Sequence, residues 1–185
     1  YVLVKNNVLD EFINKIKDSI LSMYGDINKI KENSDYGRIV NQDHSKRLSL
    51  ALKKTLELGD TLEFGGDCDE LECFIAPTII KSDFDSFIME EEIFGPILPI
   101  IKYEAFEGAV DFINRLESPL SAYIFSNKKN NINHFINRTK SGGVCINDTS
   151  LHLIHEKLPF GGVGSSGMGN YHGKFGFDEF SNIRP

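Results

Sequence analysis

The sequence predicts an α/β fold, a mostly parallel sheet with helices on both faces, followed by a glycine-rich C-terminal loop segment. Two observations carry this reading. Short β-branched apolar runs alternate along the chain with longer stretches whose apolar residues recur every three or four positions. Such alternation implies right-handed crossovers between parallel strands and a sheet covered on both sides. The chain also has 185 residues, 41% of them hydrophobic and 25% charged, which is enough to bury a core.

Taken in order, residues 1–4 read as the end of a buried strand. A helix follows over 7–24, because Leu9, Phe12, Ile13, Ile16, Ile20 and Met23 share one face. Gly25 ends it. Residues 29–40 form a polar connection, and 43–58 a second helix with Leu48, Leu50, Ala51, Leu52, Leu56 and Leu58 mostly on one side. Strands are expected at 61–64 and 73–80, on either side of the turn Gly65-Gly66-Asp67. Residues 97–103 form another strand, in which Pro99 indicates an edge or a bulge. A helix over 104–116 buries Phe106, Ala109, Val110, Ile113 and Leu116. Strand 120–125, helix 128–140 and strand 143–146 complete the alternation, and the glycine-rich remainder breaks it.

Composition excludes several classes of function. Lys and Arg number 20 against 27 Asp and Glu, a net charge of −7, which disfavours a nucleic-acid backbone as partner. The three cysteines, Cys68, Cys73 and Cys145, are an odd number without regular spacing. They fit neither a disulfide scaffold nor a zinc site, and point to a reducing compartment, with the cytoplasm as the expected location. No apolar run approaches the roughly 20 residues that cross a bilayer. The chain opens Tyr-Val-Leu-Val without a methionine, so a processed or truncated sequence is expected.

Residues 162–167, Gly-Val-Gly-Ser-Ser-Gly, match G-x-G-x-x-G letter for letter. A dinucleotide fingerprint follows a strand, opens a helix and has an acidic residue some 20 positions on. Here Pro159 and Phe160 precede the glycines, Asp178 and Glu179 come too early, and Gly169, Gly173 and Gly176 follow. Each glycine costs about 1 kcal/mol in a helix relative to alanine, so no helix is expected to start there. The glycines instead allow positive φ and close approach to another surface. With Phe160, Tyr171, His172 and Phe175 around them, they suit the wall of a pocket.

Two stretches, Glu91-Glu92-Ile93-Phe94-Gly95-Pro96 and the run from Leu158 through Gly167, resemble paired signatures of the aldehyde dehydrogenase superfamily. The following Met168-Gly169-Asn170-Tyr171-His172-Gly173-Lys174 is similar to its class 3 branch, which acts on fatty and aromatic aldehydes. So are Asp35 to Gln42, Ile75 to Ile79, Tyr123 to Ser126, Gly142 to Val144 and Asn147-Asp148. The resemblance runs along all 185 residues. It implies oxidation of a small-molecule aldehyde by NAD or NADP. A cysteine thiolate attacks the carbonyl, an asparagine amide holds the oxyanion, and a glutamate-activated water hydrolyses the thioester. By the same resemblance, that cysteine, asparagine and glutamate lie upstream of Tyr1. This chain is then the C-terminal part of the enzyme, with no catalytic residue of its own. Residues 1–150 would be part of the catalytic domain and 151–185 the active-site loop and returning C-terminal segment. The family implies a homodimer.

The resemblance also assigns site residues. Glu92 corresponds to the carboxylate that accepts hydrogen bonds from the nicotinamide ribose, and Phe94 to a ring beside the nicotinamide. From spacing alone, a solvated charge cluster and a core anchor would serve for the two. Phe160 would face the substrate tunnel, and Ser150, Leu153, Ile154 and His172 would line the aldehyde pocket, with ordinary packing as the alternative. Cys145 lies in an apparent buried strand, where a thiol behaves as a small hydrophobe. His152 and His155 form H-x-x-H without a third ligand, so no metal site is expected, only a loop with one hydrogen-bonded histidine. The competing function is a non-catalytic, dehydrogenase-derived module for dimerisation or binding.

Overall fold

A computed structural model describes residues 1–182 and 184. The chain divides into two compact units, residues 1–105 and residues 106–185.

The first unit is built on a four-stranded sheet. Its strands are β1 (Val2–Lys5), β2 (Thr61–Phe64), β5 (Thr78–Ser82) and β6 (Ile97–Tyr103), in the order β1-β6-β5-β2. The β1–β6 and β6–β5 pairs are parallel, and β2 pairs antiparallel with β5 at the edge. Helix α1 (Leu9–Tyr24) covers one face, where Leu9 and Ile13 pack with Val4, Ile79 and Ile100. Helix α2 (Gln42–Glu57) covers the other, where Leu48 and Leu52 pack with Ile75, Ile80 and Ile97. Neighbouring residues of β5, Ile79 and Ile80, thus feed opposite cores, as the alternation of a strand requires. Gly25 ends α1 where the sequence suggests, and a capping side chain opens α2. Asn41 Oδ1 accepts the amide of His44 to cap α2, and Gly25, at φ 82°, terminates α1.

Three readings of this unit are corrected. Pro99 lies on the central strand and is fully buried, not at an edge. The ladder to β1 begins only at Ile100, so the missing Pro99 N–H falls just outside it. The strand expected over 73–80 is two, β4 (Phe74–Ile75) and β5, interrupted at Ala76-Pro77, and β4 pairs with the short β3 (Cys68–Asp69). The polar connection contains a 3-10 helix, Ile27–Glu32, which buries Ile30 against Phe74 and Ala76.

The second unit holds α3 (Phe106–Arg115), β7 (Ser121–Ile124), α4 (Lys129–Arg138), β8 (Gly143–Ile146), α5 (Leu151–Ile154) and α6 (Gly173–Glu179). Strands β7 and β8 pair in parallel as a separate two-stranded sheet, so the strands are distributed over three sheets. Helix α3 buries Ala109, Val110 and Phe112, while Phe106, Ile113 and Leu116 are only partly buried. A helix does form after the glycines: α6 includes Gly173 and Gly176, so local propensity is overridden there.

Candidate functional site

In the first unit, Glu92 and Phe94 lie in the loop between the 3-10 helix Phe87–Met89 and β6. Both are exposed, and the Glu92 carboxylate has no partner among the described residues. Phe94 is 82% exposed and has φ 50°, a left-handed conformation that a bulky L-residue avoids. A ring held in solvent on a strained backbone is not a core anchor. A groove of about 390 Å³ adjoins it, lined by Tyr36, Val40, Ile75, Phe94 and Pro96. The Tyr36 hydroxyl donates to the Ile75 carbonyl at 2.8 Å, and burial raises its pKa, so the phenol stays protonated.

Helix α2 holds this loop in place. Arg47 Nη2 donates to the Ile93 carbonyl at 2.8 Å, and Nη1 lies 3.6 Å from the Glu91 carboxylate. Gly95 packs so closely on α2 that a Cβ would stand 2.6 Å from Leu48 Cδ1. The sequence reading missed Arg47, and only its place one residue before the apolar Leu48 pointed to it. An exposed acceptor beside an outward ring fits a ribose and a flat heteroaromatic group, because a carboxylate accepts from vicinal hydroxyls and a ring face stacks.

In the second unit, the glycine run forms a closed loop. Phe160 and Tyr171 exchange backbone hydrogen bonds of 3.0 and 2.9 Å, which bring the ends of the 161–170 segment together. Within it, Ser166 Oγ accepts from the Val163 amide at 2.9 Å and donates to the Val163 carbonyl at 3.0 Å. A Cβ on Gly162 would fall 2.1 Å from the Ser166 carbonyl oxygen, and one on Gly161 2.1 Å from that of Gly169. The glycines therefore serve close backbone approach within the loop itself.

The loop closure assembles aromatic rings. The Phe160 ring stacks on His172 at 5.8 Å and meets Tyr171 edge-on at 5.5 Å. His172 has φ 89°, and its Nδ1 is buried without a partner among the described residues. Of the expected pocket residues, the structure thus brings Phe160 and His172 together. Ser150, at φ 60°, precedes α5, and Leu153 and Ile154 lie on it, with Ile154 70% exposed. These three are exposed.

Both histidines of the H-x-x-H pair are hydrogen-bonded, not one: His155 Nδ1 accepts from the Lys157 amide at 3.3 Å, and His152 lies on α5 rather than in a loop. Its Nε2 lies 2.9 Å from Ser121 Oγ and its Nδ1 3.1 Å from Cys145 Sγ. Cys145 is buried on β8, as expected. No group of three or more metal-ligating side chains occurs among the described residues, and no helix is long and apolar enough to cross a membrane.

Comparison with known proteins extends over the whole chain. A family model described as the aldehyde dehydrogenase family matches residues 1–185. The rat protein named aldehyde dehydrogenase family 3 member A2 is 47% identical over 186 residues, covering 100% of this chain and 37% of the relative. A 4,4'-diaponeurosporen-aldehyde dehydrogenase of Staphylococcus aureus is 45% identical, covering 98% of this chain and 39% of its own length. Among solved structures, the substrate-bound state of Staphylococcus aureus AldH is similar with a TM-score of 0.90 and 46% identity, over 97% of this chain and 38% of that one. A glyceraldehyde-3-phosphate dehydrogenase of Methanocaldococcus jannaschii, complexed with NADP, has a TM-score of 0.83 at 31% identity, over 98% of this chain and 39% of that one. The chain spans little more than a third of the length of these relatives.

Proposed function

Because the chain belongs to the aldehyde dehydrogenase family, we propose that it supplies cofactor-side and aldehyde-side residues to an enzyme that oxidises aldehydes to carboxylic acids with NAD+ or NADP+. The nucleophilic cysteine, the general-base glutamate and the oxyanion asparagine come, on this reading, from family sequence that the chain does not span. A nicotinamide cofactor, when bound, would supply the hydride acceptor. Glu92 accepts hydrogen bonds from the ribose hydroxyls, and Phe94 packs beside the ring and limits its freedom. Phe160 and His172 form an apolar aldehyde wall, to which Ser150, Leu153 and Ile154 add, and such a wall favours aromatic or medium-chain aldehydes. The working protein is expected to be a cytoplasmic homodimer.

The observation that carries this reading is the outward Phe94 on a left-handed backbone, two residues from an unpartnered Glu92. It is tested in the protein expressed from its whole reading frame. Losing a charged hydrogen bond costs about 1.5–3 kcal/mol, so Glu92→Gln should lower kcat/KM for the cofactor about tenfold to a hundredfold. The aldehyde KM should move less than about twofold. An unchanged cofactor kcat/KM sinks the assignment. The competing reading, a non-catalytic binding module, is favoured by the exposed Phe175, Phe177 and Phe180. It predicts an inert protein of about 20.8 kDa in the source cell, which mass measurement on that protein decides.

A further inference from the structure

Strands β7 and β8 pair with Ser121 opposite Gly143 and Tyr123 opposite Cys145. Side chains alternate along a strand, so these four positions share one face of the small sheet. The His152 imidazole lies across that face, and three separate features place it there. Gly143 leaves the space, since a Cβ would stand 2.4 Å from His152 Cδ2. Ser121 Oγ holds Nε2 at 2.9 Å, and Cys145 Sγ holds Nδ1 at 3.1 Å. With one nitrogen donating and the other accepting, a neutral ring satisfies both bonds in either tautomer. A residue that only filled the gap would need neither bond, and an apolar side chain would serve as well.

The fixed imidazole stands against Phe160, with centroids 6.0 Å apart, and Phe160 in turn stacks on His172. Tyr123 meets His152 edge-on at 5.9 Å. We infer that His152, locked between Ser121 and Cys145 over Gly143, is a positioning residue that sets the place of the Phe160 ring and thereby the width of the aldehyde pocket. The inference rests on reading Phe160 as part of that pocket. Ser121 on β7, Cys145 on β8 and His152 on α5 are far apart in sequence, and only the fold brings them into one chain of hydrogen bonds, with Gly143 on β8 leaving room for the ring.

A double-mutant cycle on the protein from its whole reading frame tests this, with aldehyde KM, cofactor KM and thermal stability measured for each variant. His152→Gln should raise the KM of an aromatic aldehyde about tenfold, as a displaced contact residue does. The cofactor KM should stay within about twofold. Phe160→Ala should raise the aldehyde KM on its own, and adding His152→Gln to it should change nothing further, because the effect passes through the missing ring. If His152→Gln acts equally with and without Phe160, or leaves the aldehyde KM unchanged, the positioning role is overturned while the pocket reading stands. If Phe160→Ala leaves the aldehyde KM unchanged, the pocket reading is overturned and this inference with it. Should His152→Gln fail to fold, Ser121→Ala leaves the ring in place and frees one nitrogen. It runs the same cycle, with an expected rise of about threefold in aldehyde KM. Equal KM values for Ser121→Ala and the parent protein count against the inference.

Discussion

Residues 1–105 and 106–185 place their apolar side chains differently. Among the described residues, fifteen of the buried apolar residues belong to the first unit and six to the second. In the first, a sheet between two helices removes Ile79, Ile80, Leu48 and Ile100 almost wholly from solvent. In the second, Ile154, Met168, Phe177 and Phe180 are 70%, 100%, 73% and 89% exposed. The first unit therefore has a core that supports itself. The second has local order, built from backbone bridges, ring contacts and a two-stranded sheet, and leaves much of its apolar surface for something else to cover.

The sharpest way to break this comparison is to truncate one side chain in each unit. Leu48 is fully buried between α2 and the sheet, so Leu48→Ala should cost about 3–5 kcal/mol through lost transfer energy and the cavity left behind. Phe177→Ser removes a larger side chain from an exposed position and should stay within about 0.5 kcal/mol. Urea unfolding of the two variants checks this. Equal losses would mean that Phe177 is buried in the working protein, and the contrast between the units would not hold there.

A smaller effect is expected at Arg47, where the first unit uses its core to hold the loop that carries Glu92 and Phe94. Arg47→Met keeps the packing of the stem on α2 but removes the donor to the Ile93 carbonyl. Losing a charged donor of about 1.5–3 kcal/mol should speed hydrogen exchange of the amides around Ile93 about tenfold to a hundredfold. Exchange in 161–170, which is held by its own Phe160–Tyr171 bridge, should not change. Uniform acceleration in both loops would show global loosening and remove the clamp.

What the sequence discloses differs between the units for the same physical reason. In the first, α1 and α2 are long and amphipathic, and the strands β5 and β6 are apolar runs. Periodicity finds α1, α2 and β6 within a residue or two, but it runs β4 and β5 together as one strand over 73–80. Pro99 misleads because its cost depends on where the neighbouring ladder begins, and that is set by β1, nearly a hundred residues away. Glycine propensity misleads at α6 because a seven-residue helix is held by its surroundings rather than by its own preferences. In the second unit the decisive contacts are long-range and polar. The H-x-x-H pattern shows that a histidine is there, but not that Ser121 and Cys145 on paired strands clasp it. Glu92 and Phe94 are legible through resemblance, and the strained φ of Phe94 appears only in the fold.

The smallest expected effect concerns charge. Glu63, on edge strand β2, accepts from Lys81 Nζ at 2.9 Å and from Lys17 Nζ at 3.1 Å, in a partly buried position. The hydrogen bond from Lys81 is the main cause that holds its carboxyl below the usual range, with Lys17 adding to it and burial opposing both. A carboxyl whose folded pKa is depressed stabilises the protein above its unfolded value, near 4.3, and loses that contribution as pH falls through the folded value. Glu63→Gln should therefore be less stable than the parent at neutral pH, by up to about 1 kcal/mol, with the two curves converging at the acid end. In the second unit, Glu107 and His134 form a more exposed pair at 2.9 Å, and Glu107→Gln should leave neutral stability unchanged. Parallel pH curves for Glu63→Gln and the parent would show that the sheet edge draws nothing from this pairing. The first unit's advantage would then rest on apolar packing alone.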